Sequence, residues 1–152
     1  MQIGTASVDI TPNKAVALWG QFGLRLSTKP DTPLTANVVA LQSGDARTTF
    51  VSLDLLQLPE VFVQAIRDAV AKKDASINVH NIVLTATHTH TAPVLLPGTP
   101  GIPANDHTMT VEETITQAAG SYSAIPQSNI IGPEGGQMLV DKTVAIIDEL
   151  WK

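Results

Sequence analysis

The chain has 152 residues, of which 43% are hydrophobic and 15% are charged, and its formal net charge is -5. This length and composition are typical of one globular domain with its own buried core. The acidic balance argues against a nucleic-acid binder, which needs a basic face. Cysteine is absent from the sequence, which excludes disulfides and thiolate chemistry, so any metal must be held by nitrogen and oxygen ligands.

The first part of the chain predicts three strands. Residues 2–11 place apolar side chains among threonine and serine and end in a Thr-Pro-Asn turn, a pattern typical of a strand. Residues 14–33 contain glycines and prolines and predict irregular structure. Residues 34–42 and 48–55 predict a strand pair, and the segment 43–46 between them predicts a hairpin turn.

A helix and a buried strand follow. Residues 59–73 repeat apolar side chains at helical spacing, with Pro59 suited to the first helical position and Lys72 and Lys73 suited to the last turn. Residues 81–87 predict a buried strand. Because strand, helix and strand form a βαβ-like unit, the chain predicts an α/β fold, a layered mixed β-sheet with flanking helices.

The remainder predicts loops and two helices. Four prolines in residues 91–108 predict a loop, and a capping box predicts a helix at 110–120. Residues 121–137 predict a second loop. From about residue 137 to the end, a wide apolar face predicts a well-buried final helix. Together these segments predict a single α/β domain over residues 1–152.

The sequence also predicts a soluble protein. The N-terminus lacks the basic and apolar regions of a signal peptide, and no apolar stretch approaches the roughly 18 residues of a membrane span. As written, the chain is expected in the cytoplasm.

His88 and His90 are the strongest candidates for chemistry. They are two residues apart, so an extended backbone would project both imidazoles from one face. They follow an apolar strand, at the carboxyl end where ligands collect in open α/β sheets. The pair can supply two nitrogen ligands to zinc, with a carboxylate or water completing the shell. The spacing alone fits two ordinary histidines in a polar loop equally well.

Asp54 is the next candidate, because it lies in an apolar run where an unpaired carboxylate is costly to bury. It can accept a hydrogen bond from a ligating imidazole or bind the metal itself. Alternatively, it caps the helix that begins near Pro59, or lies at a solvated strand end. His107 is a weaker candidate ligand in a loop, and His80 is expected at the surface.

Several ordered motifs resemble the neutral/alkaline (non-lysosomal) ceramidase family. Residues 86–93, A-T-H-T-H-T-A-P, resemble its A-T-H-T-H-S-G-P motif. Residues 4–12, G-T-A-S-V-D-I-T-P, resemble its G-x-A-x-x-D-I-T-P start. L-W-G at 18–20 and V-S-L-D-L at 51–55 follow in the expected order. The likeness covers roughly residues 3–95.

This resemblance implies a zinc-dependent amidohydrolase that cleaves the N-acyl amide of ceramide-like lipids, built on the N-terminal part of a ceramidase catalytic domain. By the same likeness His88 is a zinc ligand. His90 is a second metal-site residue and the catalytic candidate, beside the metal-bound water or the substrate. In that position an imidazole can carry a proton to the leaving amine.

The sequence departs from the family in ways that limit this implication. Family members are several times longer and take a further His, a Glu and a Tyr ligand from later segments, which are not present here. Thr91 and Ala92 replace the family's Ser-Gly, and no arginine follows Arg67. The resemblance therefore predicts the N-terminal portion of a larger catalytic domain, incomplete alone. Two alternatives are a non-enzymatic metal- or ligand-binding module and a structural relic that forms homo-oligomers through its final helix.

Overall fold

A four-stranded mixed sheet forms the centre of the protein. The computed structural model describes residues 1–20, 25–95 and 131–152. The described elements are strands β1 (Gln2–Asp9), β2 (Ala17–Leu18), β3 (Arg25–Leu26), β4 (Thr35–Ser43), β5 (Ala46–Leu53) and β6 (Ile82–Ala86), helices α1 (Glu60–Lys73) and α2 (Gly132–Leu150), and a 3-10 turn (Val79–Asn81).

The sheet order is β1-β4-β5-β6. β1 pairs with β4 and β4 with β5 in antiparallel fashion, whereas β5 and β6 are parallel and are connected through α1. β2 and β3 form a separate two-stranded ribbon. This mixed sheet with flanking helices confirms the predicted α/β fold class.

Both helices cover one face of the sheet. Alternate residues of the strands point toward them, and Val38, Val51 and Ile82 are each 1% exposed. The helices complete this core with buried side chains of Phe62, Ile66 and Val70 from α1 and Leu139, Val140, Val144, Ile146 and Ile147 from α2. The apolar face of α2 therefore packs inside the chain, as predicted. Among the described helices, none is both long and apolar enough to cross a membrane.

The opposite face of the sheet carries a cross-strand row of partly exposed apolar side chains. Val39 pairs with Phe50 in register, and Phe50 pairs with Val83. Their exposed fractions are 37%, 46% and 42%. Within the described residues the domain thus has two layers, helices on one side and an open sheet face on the other.

The predicted and observed elements differ mainly at their ends. Strand β1 ends at Asp9, because the Asp9 Oδ1 atom accepts a hydrogen bond from the Thr11 amide at 2.7 Å and forms a turn. Pro59 is the N-cap of α1, so the helix starts one position later than predicted. α2 begins at Gly132 rather than near Gln137, which shows that tertiary packing overrides the poor helix propensity of glycine.

Three other sequence predictions have different outcomes. The hairpin turn is confirmed, since Ser43 pairs with Ala46 and Gly44 takes a positive φ of 58°. The segment 14–33, predicted to be irregular, contains the β2–β3 ribbon. The helix predicted at 110–120 and most of the two predicted loops lie outside the described residues.

Candidate metal-binding site

The parallel strands β5 and β6 bring their carboxyl ends to the same edge of the sheet. Their pairing ends at Leu53 and Ala86, and two backbone hydrogen bonds continue it. The Thr87 amide donates to the Leu53 carbonyl at 2.9 Å, and the His88 amide donates to the Leu55 carbonyl at 3.0 Å. The chain beyond β6 is therefore fixed against the end of β5. We call this region, which carries Asp54, Thr87, His88 and His90, the histidine edge.

His88 has a left-handed backbone with a φ of 61°. The extended geometry inferred from the two-residue spacing is therefore not found at this residue. Left-handed backbone is uncommon for residues other than glycine and costs of order 1 kcal/mol. Such strain persists only where the surroundings hold it, and it concentrates at functional sites. Despite the turn, the two imidazoles come together.

The imidazole of His88 is held by a backbone carbonyl. Its Nδ1 atom lies 2.9 Å from the carbonyl oxygen of Leu56. A carbonyl can only accept, so Nδ1 carries the proton, and in neutral His88 the lone pair resides on Nε2. Ligating histidines usually have this arrangement, in which one ring nitrogen is fixed by a carbonyl or carboxylate and the other is free for metal.

The rings of His88 and His90 lie 5.3 Å apart between centroids, with an interplanar angle of 72°. Zinc–nitrogen bonds of about 2.0 Å at a tetrahedral angle of about 109° place the centroids of two ligating imidazoles roughly 5 Å apart. The observed spacing fits such a shared ion. It also lies in the range of about 4.5–7 Å for ordinary edge-to-face ring contacts. Both residues are exposed at this edge.

Asp54 joins three strand ends at the histidine edge. Its Oδ2 atom accepts hydrogen bonds from the amide and the hydroxyl of Thr35, both at 2.8 Å. Its Oδ1 atom accepts one from the Thr87 hydroxyl at 3.1 Å. The α1 N-terminus has no side-chain cap, so the predicted capping role is not found. Among the described residues Asp54 contacts the histidine segment through Thr87 rather than through an imidazole.

The edge also carries a second carboxylate, Asp9, at the end of β1. Hydrogen bonds from the Thr11 hydroxyl and amide lower the pKa of Asp9, which therefore stays ionised. Its backbone partner across the strand pair is Thr35, which in turn donates to Asp54. Two carboxylates thus lie along one edge, together with the ammonium of Lys142, which donates to the Asp9 carbonyl.

The β2–β3 ribbon holds the chain after the histidines from the other side. The Trp19 amide donates to the Ala92 carbonyl at 3.0 Å, and the Val94 amide donates to the Ala17 carbonyl at 3.1 Å. The Arg25 guanidinium donates from Nη2 to the carbonyl of His90. Sequence reasoning missed Arg25, because the glycines and prolines of residues 14–33 predicted no element there. The L-W-G motif was the available signal for this contact region.

A cavity of about 730 Å³ adjoins the histidine segment. Thr91 and Pro93 form one wall, and residues 11–16 and 26–32 supply most of the remainder. Its lining mixes hydroxyl, lysine and aliphatic side chains, and its volume lies in the range of small-molecule sites.

Within the described residues the histidine pair offers two nitrogen donors, whereas a catalytic zinc normally has three protein ligands. No group of three or more His, Asp or Glu side chains able to hold a metal occurs within residues 1–20, 25–95 and 131–152. His80 lies in the exposed 3-10 turn beside Asn78, away from the histidine edge, as predicted. His107 lies outside the described residues. The two imidazoles fit a metal as part of a donor set, not as a complete one.

Comparisons with known proteins support the fold. No protein-family model matches the chain, and no curated protein matches it. Its structure is similar to that of neutral ceramidase from Pseudomonas aeruginosa, with a TM-score of 0.69 and 17% sequence identity over 98% of this chain and 21% of that chain. A ceramidase complexed with C2 is similar with a TM-score of 0.56 and 18% identity, over 89% of this chain and 20% of that one.

These two similarities define a ceramidase-like fold. The chain spans about a fifth of the length of each matched structure. At this level of identity the likeness shows the fold alone. The chemistry of this chain depends on the residues of its own site.

Proposed function

We propose that the histidine edge is part of a zinc-dependent amidohydrolase site that cleaves the N-acyl amide of ceramide-like lipids. The chain is the N-terminal portion of the catalytic domain and supplies His88 and His90 as ligands. One observation carries the proposal: the Leu56 carbonyl fixes Nδ1 of His88 as the protonated nitrogen, so the lone pair lies on Nε2, and the His88 and His90 ring centroids lie 5.3 Å apart on a ceramidase-like fold.

The proposal requires at least one further protein ligand, because catalytic zinc sites normally have three. A carboxylate is suited to that role beside two imidazoles, as in other hydrolytic zinc sites. Asp54 is engaged by Thr35 and Thr87, so we assign it to holding the segment that carries His88. The missing ligand must come from residues outside the described ranges or from another chain.

When bound, zinc would polarise an amide carbonyl and lower the pKa of a bound water to about 7. The residues of this chain would bind the metal and orient the substrate. His88 binds through Nε2 with its tautomer fixed by Leu56. His90 completes the imidazole pair; in the alternative role implied by the family resemblance, it would carry a proton to the leaving amine. The cavity beside Thr91 and Pro93 is available for one arm of the amide substrate.

Zinc titration of the purified chain tests the metal assignment. We expect stoichiometric binding that His88→Ala weakens by roughly 100-fold or more, since it removes the carbonyl-anchored ligand. His80→Ala is the matched control, because His80 is an exposed histidine away from this edge, and it should bind zinc as the parent chain does. Equal affinity in the parent and His88→Ala would contradict the assignment.

His90→Ala separates the two roles of His90. As a ligand, its loss should weaken zinc binding about as much as the loss of His88. As a proton carrier, its loss should leave zinc affinity intact and reduce only turnover of an N-acyl amide. Retained metal with no turnover in the parent chain would favour the metal-binding module, which the two-ligand donor set also fits.

A further inference from the structure

We propose that Gly20 and Arg25 are positioning residues that set the imidazole of His90. His88 is fixed from the β5 side through Leu56, whereas the His90 segment is fixed from the β2–β3 ribbon. The spacing of the two rings therefore depends on this ribbon. The inference rests on the proposed function only for the zinc-binding measurements used to test it.

Gly20 lies directly against the ring of His90. A Cβ atom built on Gly20 would lie 2.7 Å from Cγ, 2.8 Å from Nδ1 and 3.0 Å from Cδ2 of that ring. Two of these distances are below 3.0 Å, which Cβ atoms in proteins essentially never show. All three atoms lie on the side of the imidazole that is bonded to Cβ of His90. Nε2 is not among these three nearest atoms, so Gly20 packs on the opposite side of the ring from the nitrogen that we assign to metal.

The backbone of Gly20 adds a second requirement for glycine. Its φ is 97°, a conformation that residues with a side chain rarely adopt. Glycine therefore meets two needs at this point, the turn after Trp19 and the close approach of the ring.

Arg25 fixes the backbone of the same histidine. Its Nη2 atom donates to the carbonyl of His90 and also lies 3.5 Å from the carbonyl of Trp19. The Arg25 guanidinium thus links Trp19, the residue before Gly20, to His90, whose ring packs on Gly20. The Nε atom of Arg25 is buried without a hydrogen-bond partner among the described residues, which is an energetic cost.

The ribbon is joined to the histidine segment, because strand β2 pairs with the chain on the far side of His90. Leu18 forms a bridge with Pro93, flanked by the Trp19–Ala92 and Val94–Ala17 hydrogen bonds. A shift of the ribbon would carry the His90 segment with it and leave His88 in place.

Gly20→Ala with Gly44→Ala as its control tests the glycine. Both glycines have a positive φ, but a Cβ atom at Gly44 meets nothing within 4 Å. In the metal-free chain, Gly20→Ala should abolish the nuclear Overhauser contact between residue 20 and the His90 ring and shift the His90 imidazole resonances. Those of His88 should stay in place. With zinc, the dissociation constant should rise at least tenfold in Gly20→Ala and remain within twofold in Gly44→Ala.

Arg25→Met with Arg67→Met as its control tests the guanidinium. Arg67 likewise has a buried Nε atom without a partner among the described residues and one Nη2 bond to a carbonyl, that of Ile82. Arg25→Met should shift the His90 resonances and weaken zinc binding severalfold, and Arg25→Lys, which retains a cationic donor, should restore part of both. Arg67→Met should change neither.

The inference is overturned if the His90 resonances are unchanged in Gly20→Ala and Arg25→Met, or if the controls shift them equally. If the parent chain does not bind zinc, the proposed function is contradicted but this inference is not. The metal-free spectra still report whether Gly20 and Arg25 determine the position of the His90 ring.

Discussion

The two ends of the central sheet use polar side chains differently. The hairpin edge comprises the turn at 43–46, the 3-10 turn and the carboxyl ends of α1 and α2. Its polar contacts include two ion pairs: Asp148 lies 3.2 Å from Lys73 and 2.7 Å from Lys152, whose side chains are 45% and 72% exposed. They also include hydrogen bonds from Asn81 to the Arg47 carbonyl and from Thr48 to the Asn81 carbonyl. The guanidinium of Arg47 also lies 5.3 Å from the Trp151 ring. The Asp148 side chain is only 11% exposed, but both lysine side chains extend into solvent, and pairs with such exposed partners contribute little to stability.

At the histidine edge the polar contacts are hydrogen bonds that join side chains to backbone groups and hydroxyls. Asp54 accepts three hydrogen bonds from Thr35 and Thr87, Leu56 receives the His88 imidazole, and Arg25 binds the His90 carbonyl. The contacts of Thr87, Leu56 and Arg25 each hold a residue of the histidine segment, and those of Thr35 anchor Asp54. The difference is that ion pairs occur at the hairpin edge, whereas the histidine edge is held by hydrogen bonds that converge on the segment carrying His88 and His90.

Asp54→Ala should give the largest difference between the two edges. It leaves the Thr35 amide and two hydroxyls without their acceptor, so we expect the free energy of unfolding to fall by about 2–3 kcal/mol. Asn81→Ala at the hairpin edge removes one exposed bond to the Arg47 carbonyl and should cost about 0.5–1 kcal/mol. Urea denaturation of both variants measures the two free energies of unfolding. Equal decreases in the two variants would contradict the difference between the two edges.

The fold was largely predictable, because it follows from local patterns. Alternation in β4 and β5 and the helical spacing of α1 each reflect one buried face. The apolar run at 82–84 correctly predicted strand β6, but the prediction that this strand is buried was wrong, since only Ile82 is buried and Val83 is 42% exposed. The location of Asp54 beside the histidines also followed from the βαβ unit, since parallel neighbours share their carboxyl edge. These predictions needed only the periods of strand and helix.

The geometry of the site was not predictable in the same way. The left-handed backbone of His88 arises from contacts with Leu55 and Leu56, which belong to a different strand end. The Arg25–His90 contact spans 65 positions and comes from a ribbon of two-residue strands, too short to show a period. Long-range contacts between irregular segments leave no periodic pattern in a sequence.

Thr87→Val should show a smaller effect that is specific to the histidine edge. It removes the hydroxyl that links Asp54 to the residue before His88, and we expect a loss of about 1 kcal/mol with a shift of the His88 imidazole resonances. Thr48→Val, which removes a hydroxyl bonded to the Asn81 carbonyl, is the control at the other edge. It should cost about 0.5 kcal/mol and leave both histidines unchanged. Unshifted His88 resonances in Thr87→Val would mean that Asp54 does not act on the pair.

Asp148 should give the smallest effect, and one that depends on pH and salt. A hydrogen bond from Lys152, followed by one from Lys73, lowers the pKa of the Asp148 carboxyl. Because the folded pKa lies below the unfolded value of about 3.9, the stabilisation is complete above roughly pH 5 and is lost as the pH falls through the folded pKa. Asp148→Asn should therefore lower the Tm slightly at pH 7 and not at pH 2.

High salt should reduce the difference between Asp148→Asn and the parent at pH 7, because the two lysine partners are exposed and their charges are screened. The same salt should leave the cost of Asp54→Ala unchanged, since its partners are an amide and two hydroxyls of neutral residues. Thermal melts at low and high ionic strength distinguish the two. A salt-insensitive Asp148→Asn difference would contradict the view of the hairpin edge as a set of screened surface pairs.

The most direct measurement is the nitrogen spectrum of the four histidine imidazoles with and without zinc. We predict that zinc moves the Nε2 resonances of His88 and His90 together, that Nδ1 of His88 keeps its proton to Leu56, and that His80 does not respond. A response confined to other histidines, or loss of the His88 Nδ1 proton on metal binding, would contradict a metal site built on this pair.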